Sequence, residues 1–292
     1  MWIVLAVCSA LCLGFYDIFK KASVKDNDVL TVLMLNTFFG SVLLSPVIIG
    51  NIANGTWGFD GDPVNHLLIL IKSFIVLSSW ILGYFSIKHL PITINGPISA
   101  TRPVLVLLGA VVIFGEHLNM LQYAGILLGF CSLFFISKIG KKEGFSLKHS
   151  RWLWLCFAST VMGAISALYD KFLIHNLNPL EVQAWYSLYQ FFIMTTVITI
   201  IRRFSREKRT PFTWRWTIPC IALFLTIADI AYFYSLSLDG AMISVVSMIR
   251  RGSVLVSFLY GITILGEKNV RMKTIDLSLL FIGLILLILG SR

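Results

Sequence analysis

The most unusual chemistry in this sequence is an arginine inside an apolar run. Arg102 lies in the stretch ATRPVLVLL (100–108), which continues without another charge to Phe114. Asn95 and Ser99 precede it at spacings of four and three, so a helix would carry the three polar side chains on one face. A guanidinium donates several hydrogen bonds in a fixed plane, which suits a carboxylate or a phosphate. This face therefore predicts a binding surface for an anionic group.

A second polar stripe of the same kind occurs further along the chain. Ser244, Ser247 and Arg251 are spaced three and four apart, and Arg250 is adjacent. We expect the two stripes to face one electropositive cavity and to bind the anionic group between Arg102 and Arg251. An alternative interpretation leaves the arginines bonded to backbone carbonyls that nearby prolines set free, with a role in helix packing only.

Asp229 is expected to be the only carboxylate well inside an apolar span. It precedes the turn at 239–240 by about as many residues as Arg250 and Arg251 follow that turn, so the three reach similar depth on adjacent helices. An ion pair is predicted, and it could hold the helix hairpin together, carry a coupling proton or act as a gate. Lys72, by contrast, is expected to extend to water along its aliphatic stem.

Further polar and aromatic side chains could gate or line the same cavity, or simply anchor helix ends at the membrane interface. The candidate gates are the pairs Tyr16-Asp17 and Tyr169-Asp170, and the candidate cavity aromatics are Trp80, Tyr84, Trp185, Tyr189 and Tyr232. The five histidines lie at or beyond the ends of the apolar spans, and no paired carboxylates occur inside them. No catalytic residue, metal site or cofactor is therefore expected.

The composition places these residues in a bilayer. Hydrophobic residues make up 57% of the chain, charged residues 13%, and the mean hydropathy is +0.85, whereas charged residues are about a quarter of an ordinary soluble protein. The net charge of +10 comes from basic residues between apolar segments rather than on one soluble face, which argues against nucleic acid as a partner. Ten segments have the length of a membrane-crossing helix, roughly 1–19, 29–50, 67–87, 92–114, 119–138, 152–174, 180–201, 214–236, 241–265 and 274–290.

The basic residues also predict an orientation. Eighteen of the 24 lysines and arginines fall on one side of this ten-span arrangement, two (Lys171 and Arg292) on the other, and four within spans. Lysine and arginine are enriched in cytoplasmic loops. We therefore expect the charged loops in the cytoplasm, both termini outside, and a bacterial inner membrane as the location.

The two halves of the chain repeat one another. GFYDIFKK (14–21) matches ALYDKFL (167–173), and VVIFGEH (111–117) matches ITILGEK (262–268). Each half has five spans, an odd number, so the second half must be inverted in the membrane relative to the first. The fold class predicted is an all-α integral membrane protein of ten transmembrane helices, built as two inverted five-helix repeats over 1–140 and 152–292. The glutamates of the second motif, Glu116 and Glu267, are expected to cap helices and close hairpins.

With these motifs, the chain resembles the EamA-type drug/metabolite transporter superfamily. The features are two five-helix halves, an aromatic GYF (83–85) or AYF (231–233) that ends the third helix of each, and a Gly-Glu pair that ends the fourth. The resemblance implies movement of small metabolites through a cavity between the halves by alternating access. Members of that superfamily are usually described with both termini in the cytoplasm, and the charge count here predicts the reverse.

The function expected is a secondary transporter rather than an enzyme. The sequence has no glycine-rich motif ending in Lys-Ser or Lys-Thr for ATP, so an ion gradient or exchange must supply the energy. The alternatives are a lipid-linked sugar flippase, which shares the architecture, and an integral-membrane lipid-modifying enzyme. The expected partners are a small-molecule substrate and membrane lipid, and ten spans suffice for a working monomer.

Overall fold

The protein is helical throughout the part of the chain that the computed structural model describes, which is residues 2–55, 62–114, 119–142, 150–174, 177–204, 210–238, 249–267 and 269–290. The helices are α1 Trp2–Val24, α2 Val29–Ala53, α3 Pro63–His89, α4 Ile92–Ala100, α5 Arg102–Phe114, α6 Met120–Lys142, α7 Arg151–Ile174, α8 Pro179–Phe204, α9 Thr217–Ser237, α10 Ser253–Thr263 and α11 Val270–Gly290. Because α4 and α5 share the fourth predicted span, these segments correspond to the ten predicted transmembrane helices.

Long apolar helices confirm an all-α integral membrane protein. Six described helices are long and apolar enough to cross a bilayer, namely Trp2–Val24, Val29–Ala53, Pro63–His89, Arg151–Asp170, Pro179–Arg203 and Thr217–Ser235. Large apolar side chains such as Val4, Leu127 and Phe192 are exposed on the outside of the bundle. A surface of this kind is stable against lipid tails, since a helix satisfies its own backbone groups.

The fourth span is interrupted two residues before Pro103, at Thr101. Pro103 has no N–H to donate to the carbonyl of Ser99, and its ring crowds that carbonyl. The chain leaves the helix at Thr101, whose N–H instead donates to the Ile98 carbonyl at 3.2 Å. The break places Arg102 at the first residue of α5, so its side chain projects from an irregular point of the bundle.

The helices pack in a pattern with two-fold character. Helix α1 packs along α9 and α3 along α7, while α2 packs on α8 and α6 on α11. Exchanging the first five spans with the last five maps this set of pairs onto itself, as a five-helix repeat requires. The α3–α7 pair is tightened by Ser79 and Ser159, each of which donates its hydroxyl to the other's carbonyl, at 2.8 and 2.7 Å. The bounds 1–140 and 152–292 stay a prediction.

One end of the bundle, here called the basic end, gathers the end of α1, the α3–α4 junction and the start of α9. The Lys21 ammonium donates to the carbonyls of Ile87 and Leu90 at 2.6 and 2.5 Å. Asn27 joins the same end to the segment before α9, because its amide donates to the Thr213 carbonyl at 2.8 Å and accepts from the Thr213 N–H at 2.9 Å. These bonds join the end of α1 to the α3–α4 junction, and the segment after α1 to the segment before α9.

Candidate functional site

A cavity of about 230 Å³ lies between the two halves, enclosed by residues of α1, α3, α4, α5, α7, α8, α9 and α10. It brings together most of the side chains that the sequence singles out. The polar stripes contribute Asn95, Ser99, Arg102, Arg250 and Arg251. The predicted gating and aromatic residues that line it are Tyr16, Asp17, Asp170, Asp229, Trp80, Tyr84 and Tyr232.

The charged side chains lining the cavity are unbalanced. Among the described residues that line it, five are cationic and three are acidic, which gives these residues a formal charge of +2; the cations are Lys20, Lys72, Arg102, Arg250 and Arg251, and the acids are Asp17, Asp170 and Asp229. Charges inside a bilayer are expensive and are normally paired or functional. An electropositive cavity with this composition is suited to an anion.

Three of the five cations have ionic and aromatic partners in the protein, although the Nε–H group of one of them, Arg250, is buried without an acceptor. Each makes an ion pair with an aspartate and also lies over the ring of a tyrosine, and the three sets are Lys20 with Asp17 and Tyr16, Lys72 with Asp170 and Tyr186, and Arg250 with Asp229 and Tyr232. The first two ammonium nitrogens lie 2.7 and 2.5 Å from their carboxylate oxygens. The Arg250 guanidinium carbon is 4.2 Å from the centre of the Tyr232 ring. A carboxylate and a ring face together offset much of the cost of burying a cation.

The other two cations, Arg102 and Arg251, have no such partners. Neither forms an ion pair, a ring contact or a hydrogen bond with the described residues, and the Nε–H group of each is buried without an acceptor. The two guanidinium groups and that of Arg250 are close enough for their charges to repel one another. No bond to a backbone carbonyl is formed, so the alternative of a pure packing role has no support in the described contacts.

Gly163 of α7 leaves the space that the Arg102 guanidinium occupies. A Cβ atom at Gly163 would overlap the Arg102 guanidinium, whose Nε and Nη2 atoms would lie only 2.5 Å from it. The planar group therefore lies directly against the α7 backbone, between the break in the fourth span and the cavity. No sequence pattern marks this glycine, because the approach depends on two helices from different halves.

Five of the predicted site residues lie elsewhere or outside the described chain. Trp185 and Tyr189 are not among the residues that line the cavity; they pack with His66, whose ring nitrogen is 2.8 Å from the Tyr189 hydroxyl. Tyr169 also stands outside the cavity and donates to the Leu68 carbonyl at 3.1 Å. Ser244 and Ser247 lie outside the described residues, as does Glu116.

Two expectations about charged residues are wrong. Lys72 does not extend to water: its side chain is 3% exposed because Asp170 and the Tyr186 ring offer it a nearer partner than solvent. Asp229 is not the only carboxylate within the helices, since Asp276 of α11 is 0% exposed and accepts a hydrogen bond from Ser132 at 3.0 Å. The apolar run after Asp276 places it at a span end, but α11 begins six residues earlier. Lys20 also lines the cavity. The sequence did not predict this, because Lys20 and Lys21 both follow the first apolar segment (1–19) and were counted with the charged residues outside it.

The fold and the cavity define a class of integral membrane protein with a charged binding site between two halves, and comparison with known proteins agrees with it. Residues 1–138 match the EamA-like transporter family. This match confirms the resemblance to the EamA-type superfamily over residues 1–138. An uncharacterized transporter from Archaeoglobus fulgidus is 28% identical over 141 residues, which is 48% of this chain and 49% of that protein. The chain thus spans about half the length of this curated relative.

A solved structure shows the same fold over the full length. This crystal structure of a protein superposes with a TM-score of 0.66 at 14% sequence identity and covers 100% of this chain and 99% of its own. At that identity the likeness concerns the arrangement of the helices alone. It nevertheless extends to the second half, which the family match does not reach.

Proposed function

We propose that the protein is a secondary transporter that moves a small metabolite bearing a carboxylate or phosphate across the membrane by alternating access. The observation that carries this proposal is the pair of unpartnered guanidinium groups, Arg102 and Arg251, on opposite halves of one buried cavity. Buried cations without an acid are unfavourable in a membrane protein. An anion between the halves would satisfy both and would hold the halves together while it is bound.

The size of the cavity supports a small cargo. Ligand pockets for drug-sized molecules measure about 300–1,000 Å³, whereas this cavity measures about 230 Å³. At roughly 30 Å³ per water molecule it has the volume of about eight waters. A compact carboxylate or phosphate suits this volume better than a lipid-linked sugar, the alternative cargo. The names of the family and of the relative also favour a transporter over a lipid-modifying enzyme.

Two of the three ion pairs suit a carrier that changes shape. Asp170 pairs with Lys72 of α3, and Asp229 of α9 pairs with Arg250, so both can release their cation when the helices around the cavity separate. Asp17 pairs with Lys20 of its own helix, α1, and keeps that partner. The Tyr-Asp motifs of α1 and α7 would then act as gates. The basic end would face the cytoplasm by the charge rule, in a bacterial inner membrane, and one chain would form the whole path.

The proposal is tested by ligand-induced stabilisation of the purified protein in detergent. The probes are pyruvate, succinate and glycerol 3-phosphate as anions, alanine as a zwitterion and putrescine as a cation. A ligand that binds only the folded state adds about 2.7 kcal/mol at a hundred times its dissociation constant. We expect at least one anion, and not putrescine, to raise the unfolding temperature in a saturable way.

Charge-neutral variants assign that effect to the cavity. Arg102→Gln and Arg251→Gln should each weaken the anion-induced stabilisation by about a factor of ten or more, since a charge-assisted hydrogen bond contributes roughly 1.5–3 kcal/mol. Arg271→Gln is the matched control, because Arg271 is exposed on α11 and does not line the cavity. Equal anion stabilisation of all three variants and the parent would contradict the proposed site.

A further inference from the structure

The fourth and ninth predicted spans are broken at matching positions, beside the arginines that have no partner. In the fourth span, the Thr101 N–H donates to the Ile98 carbonyl three residues back, at 3.2 Å. In the ninth, residues 249–251 are helical, and the Gly252 N–H donates to the Ile249 carbonyl in the same way, at 2.9 Å. The register that aligns the two Gly-Glu motifs also aligns Thr101 with Gly252. The break is therefore a feature that the two halves share.

The two breaks also lie at the same depth. A Cβ atom at Gly261 of α10 would meet the side chains of Thr93 and Ile92 at 2.7 and 2.8 Å, so these residues are level near the basic end. Thr101 and Gly252 each lie nine residues from that level, which is about 14 Å at 1.5 Å per residue. Helix α5 runs away from the basic end and α10 runs toward it. Their N-termini therefore face each other at the level of the arginines.

Both N-termini carry donors without acceptors. Neither the Arg102 N–H nor the Ser253 N–H has a backbone acceptor among the described residues. Ser253 is 7% exposed and lines the cavity, and its hydroxyl forms no hydrogen bond within the described part of the chain. One turn further along α10, by contrast, Ser257 commits its hydroxyl to the Ser253 carbonyl at 3.4 Å. Free N–H groups and the helix dipole make such an N-terminus a binding site for anions, phosphate in particular.

The charges of the lining select the charge of the anion. The described residues that line the cavity have a formal charge of +2. Each of their three acids is already paired with a cation, so none is free to receive an ammonium group. The tyrosine rings beside these pairs are covered by the same cations. The lining therefore favours a cargo with two negative charges and no cationic group, which disfavours an amino acid.

The donors converge on one place rather than two. The guanidinium charges of Arg102, Arg250 and Arg251 are close enough to repel one another, and the two N-termini meet at their level. A phosphate monoester carries about two charges and three terminal oxygens on a single atom, whereas a dicarboxylate spreads its charges along a chain. Guanidinium groups bind phosphate through pairs of parallel N–H bonds. The unpartnered Nε–H groups of Arg102 and Arg251 can each belong to such a pair.

We propose that the cargo is a phosphate monoester in its dianionic form, and that its phosphate lies between the N-termini of α5 and α10. Arg102 and Arg251 would contribute the guanidinium donors, and Ser253 would contribute its hydroxyl and its N–H. The organic part would occupy the remainder of the cavity, whose volume of about 230 Å³ leaves room for a short one. This inference rests on the proposed function, because it names the chemical class of that cargo.

The first test compares methyl phosphate with dimethyl phosphate, which has the same phosphorus centre and a single negative charge. The unfolding temperature of the purified protein in detergent is followed against each ligand at neutral pH and constant ionic strength, with acetate and succinate as the carboxylate probes. We expect saturable stabilisation by methyl phosphate and an affinity about tenfold or more lower for the other three. Equal or tighter binding of any of the three would overturn the phosphate dianion and leave an anionic cargo in place. No stabilisation by any anion would overturn the proposed function itself.

The second test titrates the ligand instead of the protein. A phosphate monoester loses its second proton at about pH 6, so its dianionic fraction falls about tenfold from pH 7.5 to pH 5.0. We expect the affinity for methyl phosphate to fall by the same factor, and the affinity for sulfate, which remains a dianion, to stay constant. No histidine lines the cavity among the described residues, and the three aspartates there are ion-paired. An affinity for methyl phosphate that is independent of pH, or an equal loss for sulfate, would contradict the proposal.

A pair of serine variants assigns the phosphate to the N-terminus of α10. Ser253→Ala should weaken the binding of methyl phosphate by about tenfold. Ser257→Ala is the matched control and should keep the parent's affinity, because the Ser257 hydroxyl is already committed to a backbone carbonyl. Full affinity in Ser253→Ala, or an equal loss in both variants, would remove this N-terminus from the site. If Ser253→Ala fails to fold, the two tests on the parent protein still decide whether the cargo is a phosphate dianion.

Discussion

The basic end and the cavity are both rich in buried polar groups, but they satisfy them differently. At the basic end, Asn27 uses its whole side chain: its amide donates to the carbonyls of Ser23 and Thr213 at 3.0 and 2.8 Å, and its oxygen accepts from the N–H groups of Asp28 and Thr213 at 2.8 and 2.9 Å. In the cavity, the Nε–H groups of Arg102 and Arg251 have no acceptor. The two regions lie on the same helices only a few turns apart.

The difference separates polar groups that hold the fold from polar groups kept for a ligand. Bonds at the basic end join backbone to side chain and leave nothing for a further partner, so their loss should cost stability. Unpartnered guanidinium groups already destabilise the folded protein, so their removal should cost binding and spare the fold. Three tests of this distinction follow, from the largest expected effect to the smallest.

The largest effect is expected at Glu267, near the basic end. Its carboxylate accepts from the Ile92 and Thr93 N–H groups at 2.9 and 3.2 Å and from the Thr93 hydroxyl, and it lies 3.5 Å from the Lys273 ammonium. It therefore caps the first turn of α4, in the other half of the chain, as well as balancing a buried lysine. Glu267→Ala should lower the free energy of unfolding by about 3 kcal/mol, because several charge-assisted bonds are lost together.

The measurement is equilibrium unfolding in detergent micelles, and Asp62→Ala is the matched control. Asp62 also caps a helix, but it is exposed and accepts a single bond, from the Val64 N–H at 2.9 Å. Its loss should amount to about 1 kcal/mol. Equal effects of the two substitutions would show that the buried cap contributes no more than an ordinary surface cap, and the contrast between the regions would weaken.

An intermediate effect is expected for Arg250 and Arg251, the neighbouring arginines just before α10. Arg250→Gln leaves the partly buried Asp229 carboxylate without its cation, so we expect a loss of about 2 kcal/mol, less than for a fully buried pair. Arg251→Gln removes a charge that has no protein partner, and stability should stay the same or rise by about 1 kcal/mol. The same unfolding measurement compares them. A loss for Arg251→Gln as large as that for Arg250→Gln would mean that Arg251 has a structural partner.

Much of the fold was predictable because a bilayer imposes length and polarity on each segment. The ten apolar segments, the alternation of charged loops and the repeated motifs all follow from that constraint, and they suffice for an all-α membrane protein. The break at Thr101 was harder to predict, since Pro103 could equally have kinked a continuous helix. Its consequence, an arginine at the start of α5, depends on how the two pieces pack.

The candidate site was only partly predictable, because a sequence gives depth along a helix better than direction around it. The similar depth of Asp229 and Arg250 in the membrane predicted their ion pair correctly. The direction in which a side chain leaves its helix could not be predicted. Trp185 and Tyr189 point to His66, outside the cavity. Lys72 points inward to Asp170.

The smallest effect on stability, and the most specific test of the comparison, is expected for Gly163→Ala. The new methyl group would occupy the position of the Arg102 guanidinium, which is the flexible end of a long side chain and can move away. Alanine also favours a helix over glycine by about 1 kcal/mol. The free energy of unfolding should therefore change by less than about 1 kcal/mol, while the anion-induced stabilisation weakens because the guanidinium is displaced without loss of its charge. Gly40→Ala, where a Cβ would meet nothing within 4 Å, should raise the free energy of unfolding by up to about 1 kcal/mol and leave the anion-induced stabilisation unchanged. If Gly163→Ala kept full anion stabilisation, the position of Arg102 against α7 would be irrelevant to binding, and the cavity would act through its net charge alone.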